Sequence, residues 1–238
     1  MQNVFNIGWR QFRSYFDGPV AYIVSIVVLG VVGFMFWMFF FLQNHATIQE
    51  MFNWMGYALI FAAPALTMGL IAEEKRSGTI EILLTMPVRE WEVIIGKYLG
   101  ALGLYVVILL LTLVNPIAVS NFGDLDWGPV FTGYLGLFLE GAAMLALGLM
   151  TSSWTRNQLI SFFSSFTLLA FVGWLLPAVA QYLARGAIAT ALEAISLSHH
   201  LESMSRGVID LRDIVFFLSL TVIGLMFSFQ ALESRRWS

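Results

Sequence analysis

The sequence predicts an all-α polytopic membrane protein with six spans, and three observations carry that reading. Hydrophobic residues make up 59% of the 238-residue chain and charged ones only 11%, too few to clothe a soluble domain of this size. Apolar windows long enough to cross the hydrocarbon, roughly 20 residues each, recur along the whole chain. The charges gather between those windows, above all in one segment, EEKRSGTIEILLTMPVREWEVIIGK, at 73–97.

The opening stretch, MQNVFNIGWRQFRSYFDGP, places Phe5, Trp9, Phe12 and Phe16 at i, i+4, i+7 and i+11, with Arg10 and Arg13 off that line. The spacing predicts an amphipathic helix over 1–18 lying in the membrane interface, apolar side down, with packing against the first span as the alternative. It lacks the basic start, compact apolar core and small-residue cleavage site of a signal peptide. The spans follow at 20–42, 51–72, 98–119, 129–151, 159–179 and 214–232, the fourth interrupted only by Glu140. Pro116 is expected to kink the third. Glycines at 96 and 100, and at 133, 136, 141 and 148, suit close helix approach. The outer segment 180–213 is the longest connection after the charged one. Its Ile188, Leu192, Ile195 and Leu197 predict a short amphipathic helix dipping toward the membrane edge, and Gly207 and Asp210 mark the turn into the last span.

Basic residues set the orientation. With the first residue in the cytoplasm, the inner side carries Arg10, Arg13, Lys75, Arg76, Arg89, Lys97, Arg156, Arg235 and Arg236, and the outer side only Arg185, Arg206 and Arg212. Both termini and the 73–97 segment are therefore expected to be cytoplasmic. Tryptophans at span ends (Trp54, Trp127, Trp154, Trp174, Trp237) suit interfacial anchoring. There is no internal repeat, and 1–238 reads as a single membrane domain.

Within 73–97 the second span is expected to run on through Glu73 and Glu74 to Arg76 and stop at Ser77-Gly78, because glycine tolerates the left-handed turn that ends a helix. Thr79 suits the N-cap of a new short helix, with Glu81 in its first turn. Ile80, Leu83 and Leu84 give that helix one apolar side. Pro87 ends it and opens the next helix, and Trp91, Ile94, Ile95, Tyr98, Leu99 and Leu102 continue one stripe into the third span. A merely solvated loop would be charged too, but would not need glycine and proline bracketing an apolar stripe. The pattern suits a rigid knob for a soluble partner.

The same residues carry a resemblance. The stretch from Glu73 to Ala101 resembles the cytoplasmic loop of ABC-2 type permeases, the membrane subunits of ATP-binding-cassette transporters. The matching positions are Glu73, Gly78, Thr79, Glu81, Leu83, Leu84, Pro87, Gly96 and Lys97. LGLMTSSWTRNQLISF at 147–162 resembles the end of the family's fourth span and the start of its fifth. SRGVIDLRDIVFF at 205–217, with the terminal ESRRW, resembles the gliding-motility branch. The resemblance implies that the short helix is a coupling helix seated in a nucleotide-binding ATPase subunit, with Glu73, Glu74, Gly78, Thr79, Glu81, Leu83, Leu84 and Pro87 serving the coupling. It also implies a pair of permeases, most simply a homodimer in a bacterial inner membrane, an elbow helix at the N-terminus, and a periplasmic accessory protein. ATP and magnesium would sit on the partner subunit, with no cofactor on this chain.

The residues also exclude functions. The chain has no cysteine, so disulfides and thiolate chemistry are absent. Its net charge of −3 comes with no basic face for nucleic acid. Around Gly96-Lys97, Trp91 and Tyr98 stand where a phosphate-cradling loop needs glycine and a small hydroxyl, so ATP cannot be held that way. His199 and His200 lack metal-ligand spacing, and Ser152-Ser153 lacks a nucleophile-elbow setting. Glu140 stays open. An ionisable group in mid-span is usually functional; it would be a polar group at a helix interface or cavity, a substrate contact, or the coupling site of a small ion-gradient carrier. The carrier is the alternative to the ATP-driven reading, although broken-helix repeats are missing.

Overall fold

A computed structural model describes residues 2–43, 48–79, 89–182 and 186–233. All regular structure among them is helical: α1 (Gln2–Asp17), α2 (Val20–Gln43), α3 (Gln49–Thr67), α4 (Ala72–Ser77), α5 (Glu90–Thr112), α6 (Val114–Val119), α7 (Trp127–Trp154), α8 (Gln158–Ala170), a π turn (Phe171–Leu175), α9 (Leu176–Tyr182), α10 (Ala187–Glu193), α11 (Leu197–Ser205) and α12 (Leu211–Glu233). Among the described residues six stretches are long and apolar enough to cross a membrane: Val20–Leu42, Gln49–Ser77, Glu90–Val119, Trp127–Trp154, Gln158–Tyr182 and Leu211–Glu233.

The centre of the bundle is α7. Every residue from Leu139 to Ser153 is buried, and α3, α5, α8, α11 and α12 all pack on it. Small residues make that possible. The ring of Phe52 lies over Gly133, that of Tyr105 over Gly141, and the side chain of Thr67 over Gly148, while Gly224 of α12 meets the backbone of Ala146. A side chain at any of these glycines would collide with its neighbour. Two tyrosines of α5 then donate across the seam, Tyr98 to the carbonyl of Ala142 (3.1 Å) and Tyr105 to that of Leu137 (2.5 Å). Apolar burial gives no preference for protein over lipid inside a bilayer, so close packing and these bonds define the interface.

Two spans break where proline removes a donor. In the third, α5 ends at Thr112 and α6 begins at Val114, just before Pro116. The Asn115 amide oxygen accepts the Trp37 indole N–H at 3.2 Å, tying the break to the first span. In the fifth, Pro177 cannot bond the Gly173 carbonyl, and the ladder widens to π spacing, with Leu176 N–H on the carbonyl of Phe171.

Two expectations need correction, and so does one alternative, the packing of the opening helix on the first span. The second span does not run unbroken into the charged segment. Helix α3 ends at Thr67, turns through Met68–Ile71, and restarts as α4. Gly69 weakens the helix there, and the Thr67 hydroxyl bonds back to the Ala63 carbonyl at 2.7 Å, a bond that bends helices. The opening helix does not pack chiefly on the first span. It lies along α5, where Gly8 and Gly100 let the two backbones meet. Its Phe5, Trp9 and Phe16 face outward, and the Arg13 guanidinium sits 5.7 Å from the Trp9 ring centre. Finally, the described residues of 186–213 before the last span hold two helices, α10 and α11, in place of one. Ile188 and Ile195 are exposed, and it is α11 that packs inward, through Leu197, Leu201 and Met204. The positions that face the core there follow from where α3 and α7 stand.

Candidate functional site

The site is a junction at the end of the bundle where the charged segment leaves the spans. It starts from Gly78, whose φ of 73° ends α4 in the left-handed region. Nothing lies within 4 Å of where a Cβ would sit, so the requirement for glycine there is conformational, not spatial. Upstream, α4 carries Glu73 and Glu74 in its first turn and Lys75 and Arg76 in its last, each charge at the favourable end of the helix dipole.

That six-residue helix is held at several points by other spans. Ser152, at the end of α7, accepts the backbone N–H groups of Ile71 (3.2 Å) and Ala72 (3.1 Å) and donates to the carbonyl of Met68 (3.1 Å). One hydroxyl thus satisfies groups on both sides of the α3–α4 break, which a continuous helix would have paired internally. The Lys75 ammonium reaches the carbonyl of Ser153. From α5, Lys97 donates to the Leu70 carbonyl and to the Glu74 carboxylate, both at 2.7 Å, and lies 3.5 Å from the Gln11 amide oxygen of α1. The Lys97 residue is 4% exposed, so its charge depends on Glu74 and these oxygens.

The opening helix closes the junction. The Tyr15 hydroxyl donates to the Leu66 carbonyl at 2.6 Å; burial pushes this phenol well above the usual tyrosine range, so it stays a neutral donor. Asn3 reaches the Glu92 carboxylate at 3.4 Å, and the same oxygen accepts the Arg89 N–H at 2.9 Å, capping α5. Between these elements lies a cavity of about 310 Å³ lined by Arg10, Ser14, Glu73, Glu74, Thr79 and Lys97, among others. Within the described residues the Thr79 hydroxyl pairs with that of Ser77 at 2.8 Å and points back at the Glu74 carbonyl.

The structure therefore brings together Glu73, Glu74, Gly78 and Thr79 with Lys97. Glu81, Leu83, Leu84 and Pro87 lie outside the described residues, as do Arg235, Arg236 and Trp237. Sequence reasoning missed Ser152 and Ser153 as structural partners. It tested that pair for a catalytic setting, when the signal was a pair of small hydroxyls at the end of a span opposite a helix break. Lys97 is committed to a carbonyl and a carboxylate.

Glu140 sits apart, in mid-α7. It is 2% exposed, and its Oε2 has no hydrogen-bond partner among the described residues. On the far side of the bundle His200 bridges the Asp213 carboxylate (2.6 Å) and the Ala194 carbonyl (3.1 Å) and stacks on Phe216 with ring centres 4.0 Å apart. Both imidazole nitrogens are occupied, Nδ1 holding α11 to α12 and Nε2 holding it to the end of α10. Among the described residues no group of three or more histidines and carboxylates could hold a metal.

Six stretches long and apolar enough to span, a helix lying along the third, and a charged segment tied at one end of the bundle define an all-helical membrane protein. The family model for ABC-2 family transporter protein matches residues 42–221. The chain belongs to that family, the permease components of ATP-binding-cassette transporters, whose members work with an ATP-binding partner subunit. No match to a curated protein was found.

Proposed function

We propose that this permease converts movements of a nucleotide-binding ATPase subunit into rearrangement of its spans, through a coupling helix over 79–86. The observation that carries the reading is the fastening of α4. A segment tied by Ser152 and Ser153 to the fourth span and by Lys97 to the third cannot be displaced without moving both. A partner gripping Glu81, Leu83, Leu84 and Pro87 would therefore pull on a lever, not on slack chain. Two copies of the chain, each clasped by one ATPase subunit, would open a path between them on ATP binding. ATP and magnesium reside on the partner. The basic residues favour both termini and 73–97 on the cytoplasmic side of a bacterial inner membrane, and the 205–217 stretch favours the gliding-motility branch, with its periplasmic accessory protein. The work done is export or a conformational signal passed across the membrane.

Family membership weighs against a free-standing gradient carrier, which would have no use for a fastened cytoplasmic knob. The test is to purify the tagged chain from its native host's membranes, identify what accompanies it by mass spectrometry, and measure ATPase activity. Stoichiometric recovery of a Walker-motif subunit, with ATPase coupling lost in Glu81→Arg, supports the proposal. A folded chain that purifies alone and hydrolyses nothing overturns it.

A further inference from the structure

The fastened junction makes no use of Glu140, and the surroundings of that residue are unlike those of a packing glutamate. Its carboxyl faces a cavity of about 20 Å³ lined by Asn53, Gly56, Tyr57, Gly173, Ser198 and Leu201, among others. That is room for one water molecule or one small ion. The roof comes from α11. Leu201 fits against Gly56 and Gly136, where added methyl groups would stand 3.2 Å from it, and the Gly56 position is 3.3 Å from Glu140 Oε2.

Among the described residues no positive charge answers the carboxyl. None of the ion pairs among the described residues involves it. From α3 it is faced by Asn53 and Tyr57, and from α11 by Ser198 and Leu201. From α5 comes Tyr105, whose hydroxyl is spent on the Leu137 carbonyl, and from the fifth span Gly173, which brings no charge. His200, on the same short helix as Ser198, is engaged with Asp213 and Ala194. A bare carboxylate at this depth is too costly to persist. One positive charge must accompany it, and the cavity limits that charge to something the size of a water molecule. A divalent ion would leave the excess charge buried and uncompensated.

We propose that Glu140, with Asn53, Tyr57 and Ser198, is a binding site for one monovalent cation, either a proton or a sodium ion, and that α11 is its lid. The oxygen donors suit either ligand. Because the lid belongs to the outer segment, the site exchanges its ion with the outer side when α11 lifts, and the ion's presence stabilises the closed arrangement. This role is independent of the coupling reading, and so is its test.

The full chain in lipid nanodiscs is followed by infrared spectroscopy under buffer exchange, wild type against Glu140→Gln. In sodium-free choline buffer at neutral pH, the difference spectrum is expected to show a carboxylic-acid C=O band belonging to Glu140. If that band persists when sodium chloride is added, the ligand is the proton. If added sodium converts it, with saturation, into a carboxylate band, the ligand is sodium. Leu201→Ala, which thins the lid, should speed hydrogen–deuterium exchange of the band several-fold. If Glu140→Gln does not yield a monodisperse protein, Gly56→Ala provides the difference, because its methyl crowds Oε2 and shifts the same band. A Glu140 carboxylate that stays ionised with or without sodium overturns the proposal.

Discussion

The ammonium of Lys97 lies 2.7 Å from the carboxylate of Glu74, joining the last and nearly the first residue of the charged segment 73–97. The two sit on different helices, α5 and α4, so the pair closes the segment into a loop with fixed ends. Its partners are unequally buried, with side-chain exposures of 5% for Lys97 and 30% for Glu74, and that inequality makes the pair testable.

Glu74→Gln leaves a buried ammonium without its counter-charge and is expected to cost about 3 kcal/mol. Lys97→Met leaves a carboxylate on a side chain that is only partly buried, and should cost less, about 1 kcal/mol. Unfolding of each variant in mixed micelles checks the order. Equal losses would mean that the unequal burial of the two partners does not set the cost of breaking the pair.

Ser152→Ala removes the acceptor of two buried N–H groups and the donor to Met68, an expected loss of about 1–3 kcal/mol. Thr151→Ala is the control, since the Thr151 hydroxyl bonds only the Gly148 carbonyl of its own helix among the contacts described. In the complex with its ATPase, Ser152→Ala should also weaken the response of ATP hydrolysis to the permease, and Thr151→Ala should not. An identical response in both variants would remove Ser152 from the lever.

At Gly78 the substitutions should rank by tolerance of positive φ. Gly78→Asn is expected to stay near wild type, and Gly78→Val to lose about 1–2 kcal/mol locally and to uncouple ATP hydrolysis while leaving the chain folded in the membrane. Because the space around Gly78 is open, side-chain bulk alone predicts no such order. ATPase assays on reconstituted complexes decide between the two.

Gly100 is crowded where Gly30 is not. A Cβ at Gly100 would stand 2.6 Å from Gln11 Cβ and 2.9 Å from the Gly8 carbonyl, whereas one at Gly30 meets nothing within 4 Å. Gly100→Val should prise α1 from α5 at about 1–3 kcal/mol and expose the first residues to protease. Gly30→Ala should shift stability by less than about 1 kcal/mol.

Much of this was legible in the chain's order of residues. The six spans, Gly78 as a helix end and Gly207 as a turn follow from local rules: apolar length, charge placement and the unique tolerance of glycine for positive φ. Both glycines do adopt that conformation, at 73° and 92°. The break at Met68–Ile71 was not legible, because hydropathy runs smoothly through it and the serine that pairs its freed backbone groups lies some 80 positions away. The docking of α11 in place of α10 was missed for a similar reason. Both stretches are amphipathic, and only the positions of Gly56 and Gly136 on other helices select the one that fits.

The order of residues alone therefore established that the chain carries six stretches long and apolar enough to cross a membrane, that its charge gathers in one segment, and that Glu140 is out of place. Each of these depends on neighbours within a few turns of helix. Tertiary packing determined which partners those residues found: Lys97 for Glu74, Ser152 for the broken span, and a small cavity with no counter-charge for Glu140. Hydrogen bonds and buried charges are satisfied through space, between helices whose relative placement no local pattern encodes.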